Sequence, residues 1–153
     1  MSRVDTAERR IPAAPETVFS ALLDPAALAS WLPPEGMTGR VEHFDPQPGG
    51  RYRLVLTYTD ASGAAGKSTD DTDVVAGRFT EIVPGVRVVQ EADFVSDDPA
   101  FAEPMVMTWE VQPAEGGALV VMRAEQVPEP ISAAAHVQGM TESLANLARY
   151  LES

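Results

Sequence analysis

The chain has 153 residues and a mass of 16.4 kDa, which fits one domain spanning residues 1–153 with a core of useful size. Its 23 acidic and 11 basic residues give a net charge of −12, which would repel a nucleic-acid backbone, and the absence of cysteine excludes disulfides and thiolate chemistry. No stretch approaches the roughly 18 apolar residues that a membrane span needs, and the first residues lack the apolar block of a signal peptide. The sequence therefore predicts a soluble, cytoplasmic protein that binds neither nucleic acid nor membrane.

The N-terminal part predicts one strand and two short helices. Residues 4–11 alternate weakly in polarity and end at a proline, which is typical of an edge strand. Pro15 opens the first helix, because proline is tolerated in the first turn. Asp24 and Pro25 repeat this start signal, which predicts a second helix that runs to Trp31.

The rest of the chain predicts six strands followed by one long helix. Segments with period-two alternation lie at about 38–45, 51–59, 73–83, 86–95, 105–112 and 118–127. Short turn signals separate most of them, which favours an antiparallel sheet. In residues 132–152 a stripe of apolar side chains recurs at steps of three and four, comprising Val137, Met140, Leu144, Leu147 and Leu151. We expect this helix, capped by Ser132, to cover the sheet in an α+β fold.

Four segments, in this order, carry a resemblance to a known family. They are Arg10 to Phe19 with Trp31 downstream, Asp45 to Tyr52 through Gly49-Gly50, Gly77 to Pro84, and Gly139 to Glu152. On these segments the chain resembles the proteins similar to the C-terminal domain of the activator of the Hsp90 ATPase, in the START-like (SRPBCC) superfamily. The resemblance implies a helix-grip fold, in which a curved antiparallel sheet of about seven strands wraps around the C-terminal helix, often with a cavity between them. It implies no fixed reaction, since the superfamily includes lipid carriers, hormone receptors and aromatic cyclases.

Strand alternation predicts which side chains would line such a cavity. In the strand after Gly50, for example, Tyr52 shares a face with other large apolar residues, whereas Arg53 lies on the opposite face. The candidate ligand-binding residues are Trp31, His43, Tyr52, Leu54, Leu56, Tyr58, Phe79, Gln90, Phe94, Met107, Trp109, Met122, His136, Met140 and Leu144. We expect Trp109 on the inner wall and Trp31 near the entrance. We also expect the methionines to form an adaptable lining.

Few polar residues could carry chemistry. His136 shares a helix face with Met140, and His43 alternates with Val41, so each could face the cavity and move a proton. The alternative is that each histidine lies near the surface. Gln90 is an uncharged group on an apolar strand face, where it could orient a ligand.

Other constellations do not predict a site. Arg123 and Glu125 share a strand face and form either a surface ion pair or, if they point inward, a polar site. The acidic segment Asp70 to Asp73 lacks the glycine and the closing glutamate of a calcium loop. Two distant histidines without cysteine do not predict a zinc site, and no nucleophile motif is present. The sequence therefore predicts no metal, no cofactor and no assigned catalytic residue.

The favoured function is the binding of a small, largely apolar molecule between the sheet and the C-terminal helix, without catalysis. One alternative is a cyclase or dehydratase that uses the same cavity, with a histidine or an acid moving a proton. Another is a chaperone-associated module, which the family resemblance suggests. Against it, Asn146 is the single asparagine, so the Asn- and Trp-rich motif of the eukaryotic activator is absent, and we expect no counterpart of that protein's extra N-terminal domain. The sequence is compatible with a homodimer.

Overall fold

The computed structural model describes residues 4–33, 37–58, 72–94, 99, 104–127 and 132–152, which form seven strands and three helices. In chain order the elements are β1 (Val4–Ile11), α1 (Pro15–Leu22), α2 (Pro25–Trp31), β2 (Met37–Phe44), β3 (Arg51–Tyr58), β4 (Thr72–Val83), β5 (Arg87–Phe94), β6 (Met105–Ala114), β7 (Gly117–Glu125) and α3 (Ala133–Glu152). This is the predicted order of elements. Of the acidic segment, Asp70 and Asp71 lie outside the described residues.

The strands form one antiparallel sheet in the order β1-β7-β6-β5-β4-β3-β2. Each strand from β2 to β7 pairs with the next one along the chain, whereas β1 pairs with β7. Because β1 and β2 lie at opposite edges, α1 and α2 carry the chain from one edge of the sheet to the other. The sheet curls into a half-barrel that holds α3, which confirms the predicted α+β helix-grip fold.

Local signals in the sequence set the helix starts. Asp24 precedes α2, and its Oδ1 accepts a hydrogen bond from the backbone N–H of Ala26 at 3.0 Å. Ser132 precedes α3, and its Oγ accepts from the backbone N–H of Ala135 at 3.3 Å. Each cap satisfies a backbone donor that the first helical turn leaves without a partner. The cap predicted at Ser132 is therefore confirmed, and Asp24 adds a cap to the predicted start of α2.

The core lies where α3 and the two short helices meet the sheet. Leu144 and Leu147 of α3 have no exposed surface, and Trp31 of α2 is buried beside them in the same core cluster. Burial of a leucine side chain contributes about 1.5–3 kcal/mol. Within the described part of the chain, no helix has the length and apolar character needed to cross a membrane.

The helix α3 contacts the sheet mainly at the edge strand β1, and it also packs on α1 and α2. The central strands β3 to β6 curve away from the helix. This arrangement leaves space between α3 and the middle of the sheet, and that space is the candidate site.

Candidate functional site

A cavity of about 360 Å³ lies between the sheet and α3. Every element except β1 contributes to its wall. The lining residues are Leu22, Leu28, Trp31, Leu32, Met37, Phe44, Tyr52, Leu54, Leu56, Val75, Val88, Gln90, Ala92, Met105, Met107, Trp109, Met122, Ala135, His136, Gly139, Met140 and Ser143. The wall is therefore built mostly from aliphatic, aromatic and thioether side chains.

Strand alternation and register build the sheet side of the wall. On β5 and β6 the inward residues lie directly opposite one another, with Gln90 paired to Met107 and Val88 paired to Trp109. The next strand continues the row, because Trp109 is also paired with Met122 of β7. Paired residues on one face of an antiparallel sheet bring their side chains into contact. These three strands therefore present one continuous inner surface.

Methionine contributes an unusual share of the lining. All five methionines of the described residues line the cavity, namely Met37, Met105, Met107, Met122 and Met140. Three of them, Met107, Met122 and Met140, were among the candidate residues predicted from the sequence. Methionine side chains are flexible and polarisable, so this wall can adjust to molecules of irregular shape.

Two tryptophans form the aromatic part of the wall. The rings of Trp31 and Trp109 meet edge to face, with centroids 5.5 Å apart and an angle of 84° between the planes. Trp109 Nε1 donates to Gln90 Oε1 at 3.0 Å, and Trp31 Nε1 donates to the Ala21 carbonyl oxygen at 3.2 Å. The prediction that Trp31 lies near the entrance is wrong, because its indole is 1% exposed and held in the core by that bond to α1.

His136 lies in the first turns of α3, where it lines the cavity. Its Nδ1 is 2.7 Å from Oδ2 of Asp5, a buried carboxyl on the edge strand β1. Asp5 was not among the candidate residues predicted from the sequence. Its position in β1 could have indicated a buried role, because alternate residues of a strand share a face. Asp5 therefore lies on the same strand face as Ala7 and the buried Ile11. An acidic residue on the apolar face of a strand needs a partner, and the fold supplies His136.

The second histidine does not face the cavity, which corrects an expectation from alternation. His43 is exposed and is not a lining residue. The pairing of β2 with β3 shifts at a bulge, where Val41 pairs with Leu54 and His43 pairs with Arg53. An extra residue reverses the alternation beyond it. Phe44 therefore takes the inward position that a regular strand would have given to His43.

Two further candidates lie in the packed core and not on the cavity wall. Phe79 is buried with its ring 5.4 Å from the rings of both Phe44 and Tyr52, and these two residues line the cavity in its place. Leu144 lies one helical turn beyond Met140 and has no exposed surface. At that point α3 has reached the core, so the helix stripe divides into a cavity-facing part and a packed part.

The structure brings ten of the predicted residues together around the cavity, namely Trp31, Tyr52, Leu54, Leu56, Gln90, Met107, Trp109, Met122, His136 and Met140. The side chains of Tyr58 and Phe94 lie outside the described part of the structure. Residues that the candidate set lacked include Met37 and Ser143.

Most polar groups in the wall are already engaged with the protein. The Tyr52 hydroxyl donates to the Glu91 carbonyl oxygen at 2.9 Å, and burial raises the pKa of this phenol well above its ordinary value. The Ser143 hydroxyl donates to the Leu32 carbonyl oxygen at 2.6 Å. These groups stabilise the wall, and their hydrogens are not available to a ligand.

Charged side chains lie elsewhere. In the described ranges of the chain, no Lys, Arg, Asp or Glu is among the lining residues of the cavity. On the outer face of the sheet, Arg78 lies 2.6 Å from Glu91, and Arg123 lies 3.3 Å from Glu125. The surface interpretation of that last pair is correct, since both side chains are 42% exposed and β7 buries the alternate residues. Within the described segments, no group of three potential metal ligands occurs.

Comparison with known proteins agrees with this architecture. A protein from Chromobacterium violaceum of known structure is 33% identical, with a TM-score of 0.85 and coverage of 98% of this chain and 97% of the other. Proteins from Rhodobacter sphaeroides and Silicibacter pomeroyi, the second described as AHSA1, are 24% and 22% identical, each with a TM-score of 0.76. Their alignments cover 99% and 98% of this chain, and 98% of each of those chains. No protein of curated function matches significantly. Residues 12–152 match the family described as activator of Hsp90 ATPase homolog 1-like protein, and the chain belongs to that family.

Proposed function

We propose that the protein binds a small, uncharged, largely apolar molecule in the cavity between the sheet and α3. The observation that carries the proposal is a cavity of about 360 Å³ whose wall is almost entirely aliphatic, aromatic and thioether. This volume falls within the roughly 300–1,000 Å³ typical of small-molecule sites, and such sites are mainly apolar with a few polar groups that fix orientation.

The absence of charged residues from the lining defines the class of ligand. A carboxylate or ammonium group that enters an apolar cavity loses its hydration, and this costs several kcal/mol unless an opposite charge compensates it. Among the residues that the structure describes, the lining contains no arginine or lysine to pair with a carboxylate, and no acid to pair with an amine. Neutral molecules should therefore bind more tightly than charged molecules of the same shape.

The two tryptophans of the wall allow a direct test. Trp31 and Trp109 line the cavity, so a ligand that enters it should change the intrinsic fluorescence. We expect methyl 2-naphthoate to give a saturable change and to raise the melting temperature, because a ligand that binds only the folded state stabilises it. The anion 2-naphthoate has the same ring system with a charge and should bind at least about ten-fold more weakly.

Titration should extend to a panel of neutral aromatic and alicyclic molecules, with fatty acids as charged comparators. If no neutral molecule gives saturable binding or thermal stabilisation, the proposed function is wrong. Tighter binding of 2-naphthoate than of its methyl ester would contradict the assignment to uncharged ligands.

A further inference from the structure

The cavity contains a polar pair whose two members come from opposite ends of the chain. His136 lines the cavity, and its Nδ1 lies 2.7 Å from Asp5 Oδ2. The Asp5 side chain is 3% exposed and that of His136 is 17% exposed. The carboxyl is thus held behind the imidazole, and the imidazole is the member that meets the cavity.

The carboxylate determines which ring nitrogen of His136 carries the proton. An ionised carboxylate can only accept hydrogen bonds, so the short contact requires that Nδ1 donates to it. In the neutral imidazole the proton is then on Nδ1, and Nε2 has a free lone pair. Asp5 therefore positions the ring and makes Nε2 a hydrogen-bond acceptor.

This acceptor is available to a ligand. Within the described part of the chain, no residue hydrogen-bonds to Nε2 of His136, and no fully buried side-chain nitrogen or oxygen lacks a partner. The atom must therefore be accessible. The two hydroxyl groups of the described lining, those of Tyr52 and Ser143, already donate to backbone carbonyls.

We propose that the Asp5–His136 pair recognises a hydroxyl group on the bound molecule, such as a phenol or an enol, with Nε2 of His136 accepting its hydrogen bond. The inference rests on the proposed function and makes it more specific. It assigns the ligand to apolar molecules that carry a hydroxyl donor, and it gives Asp5 the role of a positioning residue. A carboxylate behind the imidazole strengthens the acceptor, because hydrogen bonds in a chain polarise one another.

The test compares two molecules of nearly equal size, 2-naphthol and 2-methylnaphthalene, which differ by a hydroxyl in place of a methyl. We expect the wild-type protein to bind 2-naphthol about ten-fold more tightly, since one additional hydrogen bond of this kind is expected to give a difference of that order. Equal affinities would overturn this inference alone. Saturable binding of neither molecule would contradict the proposed function, and this inference with it.

Substitutions at His136 and Asp5 test whether this pair of residues causes the tighter binding of 2-naphthol. In His136→Phe we expect the two molecules to bind with about equal affinity, because 2-naphthol loses the acceptor for its hydroxyl whereas 2-methylnaphthalene loses no hydrogen bond. Because this change leaves the buried Asp5 carboxylate without its imidazole, the double variant Asp5→Leu/His136→Phe provides a second test in a fully apolar setting. His43→Phe is the matched control, since this histidine is exposed and does not line the cavity. If both variants at His136 keep the wild-type ratio of the affinities for 2-naphthol and 2-methylnaphthalene, the proposal is wrong.

Two readouts separate positioning from a merely structural role for Asp5. The variant Asp5→Asn no longer dictates which nitrogen is protonated, so the preference for 2-naphthol should fall while the affinity for 2-methylnaphthalene is kept. Nitrogen-15 spectra of wild-type His136 should show a protonated Nδ1 and an unprotonated Nε2, and the Nε2 resonance should shift when 2-naphthol binds. A protonated Nε2 in the free neutral imidazole would contradict the assignment.

Discussion

His136 and Asp5 make a 2.7 Å hydrogen bond, although 131 residues separate them in the chain. The bond joins the first turns of α3 to the edge strand β1, which is where the helix makes its main contact with the sheet. The same pair contributes the imidazole to the cavity wall. One interaction therefore both fixes the N-terminal end of the gripping helix and supplies the cavity with a polar group.

The first prediction concerns the core beneath the cavity. Leu144 is fully buried where α3 packs on the core, so Leu144→Ala should lower the free energy of unfolding by about 2–5 kcal/mol. Val55 faces the other side of the sheet, outside the main core cluster, and Val55→Ala should cost less. Urea denaturation of both variants measures the difference. Equal, small losses would show that the α3 stripe is not the main core.

The second prediction tests whether the empty space is the binding site. Ala92 is 2% exposed and lines the cavity, so a larger side chain at this position would extend into it. We expect Ala92→Phe to weaken the binding of 2-methylnaphthalene by more than about ten-fold without unfolding the protein, because the ring enters space that a ligand would occupy. Val89→Phe, at an outward position of the same strand, is the control and should bind normally. If Ala92→Phe binds 2-methylnaphthalene as tightly as the wild type does, the ligand binds outside this cavity.

The third prediction concerns the bond between Gln90 and Trp109. The Trp109 indole N–H donates to Gln90 Oε1 at 3.0 Å inside an apolar wall. Gln90→Leu leaves that donor without a partner, which should cost about 1–3 kcal/mol of stability. In a Trp109→Phe background the same substitution should cost much less, because no donor remains to be satisfied. A double-mutant cycle measured by thermal or urea unfolding gives this coupling energy, and additive effects would contradict the role assigned to the bond.

The fourth prediction is a pH dependence at the alkaline side. Burial, with a smaller contribution from the nearby Asp93 carboxylate, raises the pKa of the Tyr52 phenol above its ordinary 10.0. Above about pH 10 the unfolded chain releases this proton whereas the folded chain keeps it, so the contribution of Tyr52 to stability is full below that pH and is lost as the pH rises. Tyr52→Phe should therefore show a shallower alkaline loss of stability than the wild type. Unfolding curves between about pH 8 and 11 test this, and parallel pH profiles would contradict it.

The fifth prediction separates a carrier from an enzyme. We expect a β-hydroxy ketone such as 4-hydroxy-4-phenylbutan-2-one to be recovered unchanged after incubation, since the other titratable group of the described lining, the Tyr52 phenol, donates its proton to the Glu91 carbonyl oxygen. Mass spectrometry before and after incubation would detect the loss of one water molecule. Conversion that falls by about 100-fold or more in His136→Gln would contradict the carrier assignment.

Local sequence patterns were sufficient for the elements and for most of their faces. The steps of three and four in α3 correctly placed Met140 and Leu144 on the buried side. Period-two alternation correctly placed Gln90 and Trp109 on the same inner surface, because successive side chains of a regular strand point to opposite faces. These patterns depend on backbone geometry that neighbouring residues determine.

The predictions that were wrong concern residues where the regular backbone geometry is interrupted, or where distant segments of the chain come into contact. The β2 bulge turned His43 outward and Phe44 inward, because one extra residue changes which face every later side chain occupies. Leu144 was assigned to the cavity because a helical stripe shows which side is buried, but not whether packed atoms or empty space lie opposite.

By itself, then, the sequence determined an antiparallel sheet closed by an amphipathic helix, since periodicity, caps and turns act over a few residues. Tertiary structure alone decided that α3 meets the sheet at β1 and stands away from its centre, which opens the cavity. It also decided that Asp5 lies beside His136. Both outcomes depend on how distant segments pack, and packing is set by the summed contacts of the whole chain and not by any local pattern.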